Sequence, residues 1–250
     1  MRRLWPDPGE VDVVAAMVAG EARPSPAERP WVLVNMIASL DGAITIAERS
    51  GGLGGPADQQ LFSALRGVAD VILVGAGTVR AEGYGPARPS EAIRAARLAR
   101  GQAEVPRIAV VTRSLDLDLT STLFTASVLP PLVITCGSAD AARRRDLDAV
   151  AELIVVGTQE VDLAQALRHL GAAGTEVITC EGGPSLNGDL VAADLIDEWD
   201  LTVSPVLTGG AAGRASRGPD PAVPHPLRLD RLLEADHHLL GRWIRDRDAT

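Results

Sequence analysis

A single α/β domain built on a mostly parallel sheet, finished by an antiparallel C-terminal hairpin, is the fold this sequence predicts. Two observations predict it. From Trp31 to Leu195, short apolar runs alternate with amphipathic helical stretches, the pattern of parallel strands covered on both faces. Beyond Glu198 the apolar runs continue with no helix between them, as antiparallel strands do. No linker-like composition break interrupts residues 31–250, so these form one domain, with residues 1–30 as a leader packed on it.

The elements follow in order. Residues 1–30 hold five prolines, and VDVVAAMVAG between them reads as a short helix. WVLVNMIAS is a buried strand, and ADQQLFSALRGVA an amphipathic helix with Leu61, Leu65 and Val68 on its apolar face. DVILVGAG (70–77) is a strand, followed by a short helix around TVRAE and a longer one at SEAIRAARLARG. RIAVVT and PLVIT are strands, ADAARRRDLDAVA a helix, LIVVG (153–157) a strand and DLAQALRHLGA a helix. TEVITCEG and the helix SLNGDLVAADL complete the alternation. EWDLTVSPVLTG and the segment containing LEADHHLLGRWIRD are the final strands.

Composition narrows the function. The charge is 24 − 33 = −9, and every basic residue is Arg. An acidic chain without a basic run is poorly suited to nucleic acid, although local Arg clusters can hold a phosphate. No apolar run reaches membrane-span length, and the N-terminal MRRLWPDPGE lacks a signal-peptide core, so a cytoplasmic location is expected. Cys136 and Cys180 are far apart, and His169, His225, His237 and His238 lack metal-binding spacing, so no metal is expected.

Ligands of open α/β sheets bind outside the carboxyl ends of the strands. Four loops there are unusual. Ser39-Leu40-Asp41-Gly42 reads equally as a tight turn or a functional loop. Gly75-Ala76-Gly77-Thr78 joins a strand to a helix, but Arg80 replaces the third glycine of a dinucleotide fingerprint, and Thr78 serves equally as N-cap or ligand contact. Glu181-Gly182-Gly183-Pro184-Ser185-Leu186-Asn187-Gly188 is built for an anion, because glycine permits close approach and the amides of a helix start point outward. Glu181 would repel a phosphate and suits a substrate amine or hydroxyl instead. The Gly-rich stretch 205–213 reads equally as a connection or a contact.

Together ASLDGAITI (38–46), ALRGVADVILVGAGTVRAEGYGP (64–86) and CEGGPSLNGDLVAADLIDEWDLTVSPVLTGG (180–210) resemble, in order and separation, the reductase domain of riboflavin biosynthesis. The resemblance implies a dihydrofolate-reductase-like three-layer sandwich, usually a homodimer, that uses NADPH to reduce the ribose of 5-amino-6-(5-phosphoribosylamino)uracil to a ribityl chain. It implies cofactor contacts at Ile37, Ala38, Gly77, Thr78, Glu82 and Ser114, with Arg113 available to a 2′-phosphate. The pyrophosphate would lie on Gly182, Gly183, Pro184, Ser185, Leu186 and Asn187, in a cradle reaching to Asp189. Ser50, Arg66, Arg88 and Glu181 fall at substrate positions, the arginines suiting its phosphate. Asp41 and Glu181 are the carboxylates available to bind pyrimidine amines or relay a proton. EGYGPAR departs from the family pattern around Arg88, and Glu82 stands where Asp is commoner. Zinc-deaminase signatures are absent, so deamination would fall to another chain. Reduction of dihydrofolate or another pterin or pyrimidine, and a non-catalytic nucleotide-binding protein, are the alternatives.

Overall fold

The computed structural model describes residues 1–12 and 22–248; most of the VDVVAAMVAG helix expected from the sequence falls outside them. One sheet of eleven strands organises the chain, in the order β2-β1-β10-β11-β9-β3-β8-β4-β5-β6-β7. Its parallel part comprises β3 (Trp31–Ser39), β4 (Val71–Gly75), β5 (Arg107–Val111), β6 (Leu132–Thr135), β7 (Glu152–Val155), β8 (Val177–Cys180) and β9 (Glu198–Ser204). Most of these strands are buried aliphatic runs, as strands covered on both faces must be.

The C-terminal hairpin is antiparallel: β10 (Leu227–Ala235) turns through Asp236 and His237 into β11 (His238–Arg245), which pairs with β9. The hairpin does not form the sheet edge. β1 (Arg2–Trp5) pairs with β10, and β2 (Gly9–Glu10) pairs with β1, so the first residues of the chain extend the sheet.

Helices α1 (Pro56–Val68), α2 (Ala76–Glu82), α3 (Glu91–Ala99), α4 (Thr122–Thr125), α5 (Ala141–Asp148), α6 (Leu163–Ala172) and α7 (Pro184–Ala192) connect the strands. The sequence places strand through residue 77, whereas α2 begins directly at Ala76 behind the extended N-cap Gly75. Two apolar clusters involve the parallel strands, one packing α6 and α7 and the other α2, α4 and α5. A third joins Leu61, Ala64 and Leu65 of α1 to Leu33, Leu233 and Leu240.

Buried arginines finish the helix ends and the sheet. Arg97 is 0% exposed, and its Nη1 donates to the carbonyls of Gly67 and Ala69 at 3.2 and 2.5 Å, where α1 leaves acceptors unpaired. Burial lowers its pKa to about 10. Glu198 accepts bidentate bonds from Arg23 and Arg242 and one from Trp31 Nε1. Burial alone would favour its neutral form, but the two guanidinium groups hold its pKa below the ordinary value.

Candidate active site

The site opens where β3, β4 and β8 end. Gly75 N–H donates to the Gly182 carbonyl at 2.7 Å, which sets the loop into α2 against the loop into α7. Gly182 has φ of +82°, a conformation open to glycine, and the Gly182–Gly183 peptide is cis. A Cβ at Gly183 would lie 2.6 Å from Thr78 Oγ1, so this position requires glycine. Gly183 also caps α7 without a side chain, leaving the first-turn amides to an outside acceptor. These features fit the pyrophosphate of a nicotinamide nucleotide.

Beside this cradle is a cavity of about 510 Å³. Ile37, Gly77, Thr78, Glu82, Gly183 and Pro184, expected at the cofactor, line it, and so do Ser50, Arg66 and Glu181, expected at the substrate. Glu82 Oε1 accepts from Ser50 N–H at 3.0 Å and so ties α2 to the 46–50 turn.

Arg66 and Glu181 are partners. Arg66 Nε and Nη2 each donate to a Glu181 oxygen at 2.7 Å, and Tyr84 Oη donates to the same carboxylate. The guanidinium lies over the Phe62 ring, 4.1 Å from its centroid. Burial opposes the Arg66 charge, but the bonds and attraction of Glu181 outweigh it and raise its pKa. Burial, then Glu181, raises Tyr84 well above the usual phenol value, so it remains a donor. Glu181 still has an acceptor direction for a substrate N–H or O–H, since an ionised carboxylate offers about four.

Other expected site residues lie elsewhere. Ala38, Gly182, Ser185, Leu186 and Asn187 do not line the cavity. Leu186 and Asn187 are buried, and the Asn187 amide donates to Ala215 O at 2.8 Å, pinning the 215 loop, so these two residues face the interior. Ser114 is exposed beyond β5, and Arg88 is exposed outside the cavity.

Asp41 also lies outside the cavity lining. Its carboxylate accepts from Ser39 Oγ at 2.5 Å, Gly209 N at 2.7 Å and Thr208 N at 3.2 Å, clamping the Gly-rich loop after β9. The Ser39 hydroxyl, then the Gly209 and Thr208 amides, lower its pKa. A depressed folded-state pKa contributes stability that is complete above the ordinary carboxyl range and lost as pH falls through the folded value. Asp41→Asn is therefore expected to lower Tm at neutral pH and to converge with the wild type in acid, as thermal melts across pH would show.

Sequence reasoning missed Asp58, Phe62, Tyr84 and Met36, all on the cavity wall. A signal for three of them was available: Asp58, Phe62 and Arg66 recur every fourth residue and share one face of α1.

A mostly parallel sheet, a glycine cradle at a helix start and an adjoining cavity define an oxidoreductase of the dihydrofolate-reductase-like fold. Comparison with known proteins narrows the class. The chain belongs to the RibD C-terminal domain family, which matches residues 30–238. It is 31% identical over 183 residues to a 2,5-diamino-6-ribosylamino-4(3H)-pyrimidinone 5′-phosphate reductase of Archaeoglobus fulgidus, covering 73% of this chain and 83% of that one. The Methanothermobacter thermautotrophicus protein of the same name is 31% identical over 186 residues, covering 74% and 82%. Among solved structures, a pyrimidine reductase-like protein of Corynebacterium diphtheriae superposes with a TM-score of 0.84 at 29% identity, covering 95% of this chain and all of that one. A riboflavin biosynthesis reductase of Saccharomyces cerevisiae shares the fold, with a TM-score of 0.66 at 17% identity over 88% of this chain and 92% of that one.

Among the described residues, no helix is long and apolar enough to cross a membrane, and no cluster of His, Cys, Asp and Glu could hold a metal ion.

Proposed function

We propose that this chain reduces a ribosylaminopyrimidine 5′-phosphate to its ribitylamino counterpart with NADPH. The observation that carries this reading is the Gly182–Gly183 cradle opening directly onto the cavity that holds Arg66, Glu181 and Tyr84. The nicotinamide supplies a hydride when bound. In the open form of the aminosugar, C1′ is doubly bonded to nitrogen; C1′ gains the hydride, the nitrogen gains a proton and the cofactor leaves oxidised. The chain's part is alignment: Ile37, Thr78 and Gly183 form one wall, and the Arg66–Glu181–Tyr84 group fixes donors and acceptors on the other. Absorbance at 340 nm, the usual reduced-nicotinamide wavelength, should fall only when substrate is added; binding without oxidation would overturn the reading.

Three arginines near the loop after β5 support NADPH over NADH. Arg80 Nη1 donates to Asp116 O at 2.6 Å, Arg143 Nη1 to Leu115 O at 3.2 Å, and exposed Arg113 pairs with Glu160 at 2.6 Å. A surface pair is weak enough to yield to a 2′-phosphate. Arg113→Ala is expected to raise the KM for NADPH roughly fivefold to tenfold, as the loss of about 1–1.4 kcal/mol would, and to leave that for NADH unchanged. The homodimer belongs to the same proposal, and light scattering would then return twice the 26.1 kDa chain mass.

One observation favours reduction of a pterin or related ring as a second reading. Arg66 is the one cation among the described cavity-lining residues, and Glu181 already holds it. Assaying a dihydropterin beside the phosphoribosyl compounds separates the two.

A further inference from the structure

We propose that Asp58 is a specificity-determining residue that reads a paired N–H edge on the substrate ring, the 2-amino group and the adjacent ring N–H of a 2-amino-4-oxopyrimidine. The inference rests on the reductase reading above and deepens it by naming the ring.

Asp58, Phe62 and Arg66 form one stripe of α1, and all three line the cavity. The outer two lie eight residues apart, roughly 12 Å along the helix axis, so Asp58 marks the end of the cavity away from the Arg66–Glu181 pair. Four acids line the cavity: Glu48, Asp58, Glu82 and Glu181. Glu181 is committed to Arg66 and Tyr84, Glu82 accepts from Ser50, and Glu48 is exposed. Asp58 is half-buried, and no hydrogen bond of ordinary geometry joins it to another described residue.

The surroundings leave room for that carboxylate. A Cβ at Gly54 would lie 2.9 Å from Asp58 Oδ2, so a glycine makes space for it. Beneath it, the buried Thr202 Oγ1 lacks a partner. Burial raises the Asp58 pKa, while Thr202 and then His238 work to lower it. Thr202 pairs in register with Ile37, which joins this corner to the strand expected to contact the nicotinamide.

A half-buried carboxylate without a partner is costly until a donor reaches it. Its two oxygens match two parallel N–H donors, the geometry that makes such pairs strong. The 2-amino-4-oxopyrimidine edge supplies both donors. Uracil supplies one ring N–H, and its 2-carbonyl would face the carboxylate with like partial charge. The same edge occurs in a 2,5-diaminopyrimidinone and in a pterin. An acid in the first turn of a helix is also favoured by the helix dipole alone, and the test must separate that role.

The experiment compares three compounds as substrates of the full chain: the diaminopyrimidinone ribosylamino phosphate, its uracil counterpart and a 7,8-dihydropterin. In the wild type, kcat/KM for the diaminopyrimidinone should exceed that for the uracil compound at least tenfold, the effect of one charge-assisted hydrogen bond gained. Asp58→Asn, which offers one donor and one acceptor, should erase that ratio by lowering the first value and sparing the second. Calorimetry with 2-amino-4-oxopyrimidine and uracil ring compounds reads the same preference without turnover. If none of the three compounds turns over, the reductase reading falls, and calorimetry still decides the ring preference. Turnover of the pterin but not the phosphoribosyl compounds would identify the source of the ring. An equal response to both rings, or an Asp58→Asn variant that loses Tm while keeping the wild-type ratio, would overturn the assignment.

Discussion

Gly183→Val is expected to remove nicotinamide nucleotide binding, with Kd rising roughly 100-fold or more, while circular dichroism stays that of the folded chain. The first added atom would sit 2.6 Å from Thr78 Oγ1, far inside contact distance, and valine adds two further carbons behind it. Relief requires the loop between β8 and α7 to move away from α2. Overpacking of this kind costs about 1–3 kcal/mol, tolerable for a domain this size, but the amides at the start of α7 lose their aim. A double variant locates the cause. In Gly183→Ala the clash is with Oγ1, whereas Thr78 Cβ stands 4.0 Å away. Gly183→Ala with Thr78→Ala should therefore recover part of the affinity lost by Gly183→Ala alone. Fluorescence titration with the reduced nucleotide measures all three, and unchanged binding in Gly183→Val would remove the cradle from its assigned role.

Arg66→Ala should produce the second large effect, on stability as well as turnover. The Glu181 side chain is 3% exposed, and its carboxylate accepts two bonds from Arg66. Removing one member of a buried pair leaves an uncompensated charge, at a cost of about 3–5 kcal/mol. Arg66→Met with Glu181→Gln removes both charges and should be markedly milder in denaturant unfolding than Arg66→Ala. Both variants should lose kcat/KM for substrate, because both dismantle the group that also holds Tyr84. Cofactor affinity should hold in both, since the cradle is built from other elements.

Much of this architecture was legible because burial leaves a plain record in sequence. Strands β3, β4, β5, β6 and β8 read as aliphatic runs since both of their faces are covered. β1 and β2 left no such record: RRLW is half polar, and its partner strand has two residues. β10 was obscured in part by Arg231, a charge that the fold buries close to Asp200.

The site was legible where glycine chemistry dictates it and illegible where partners do. Gly183 follows from its loop alone. That Arg66 meets Glu181, or that Asp41 clamps residues 208 and 209, depends on tertiary neighbours far along the chain. The stripe of Asp58, Phe62 and Arg66 was overlooked because the apolar period of α1 draws attention to Leu61 and Leu65, one position round the helix.

The position of β3 has a consequence for how the protein comes into being. This early strand is flanked by two late ones: Trp31 meets Val177 of β8, and Leu33 meets Glu198 of β9. Until the polypeptide has been synthesised through Ser204, both rims of β3 remain bare, a hazard for misassociation on the ribosome. Coenzyme capture therefore belongs among the last events of maturation, and pairings so distant in sequence make slow acquisition of the native state the expectation.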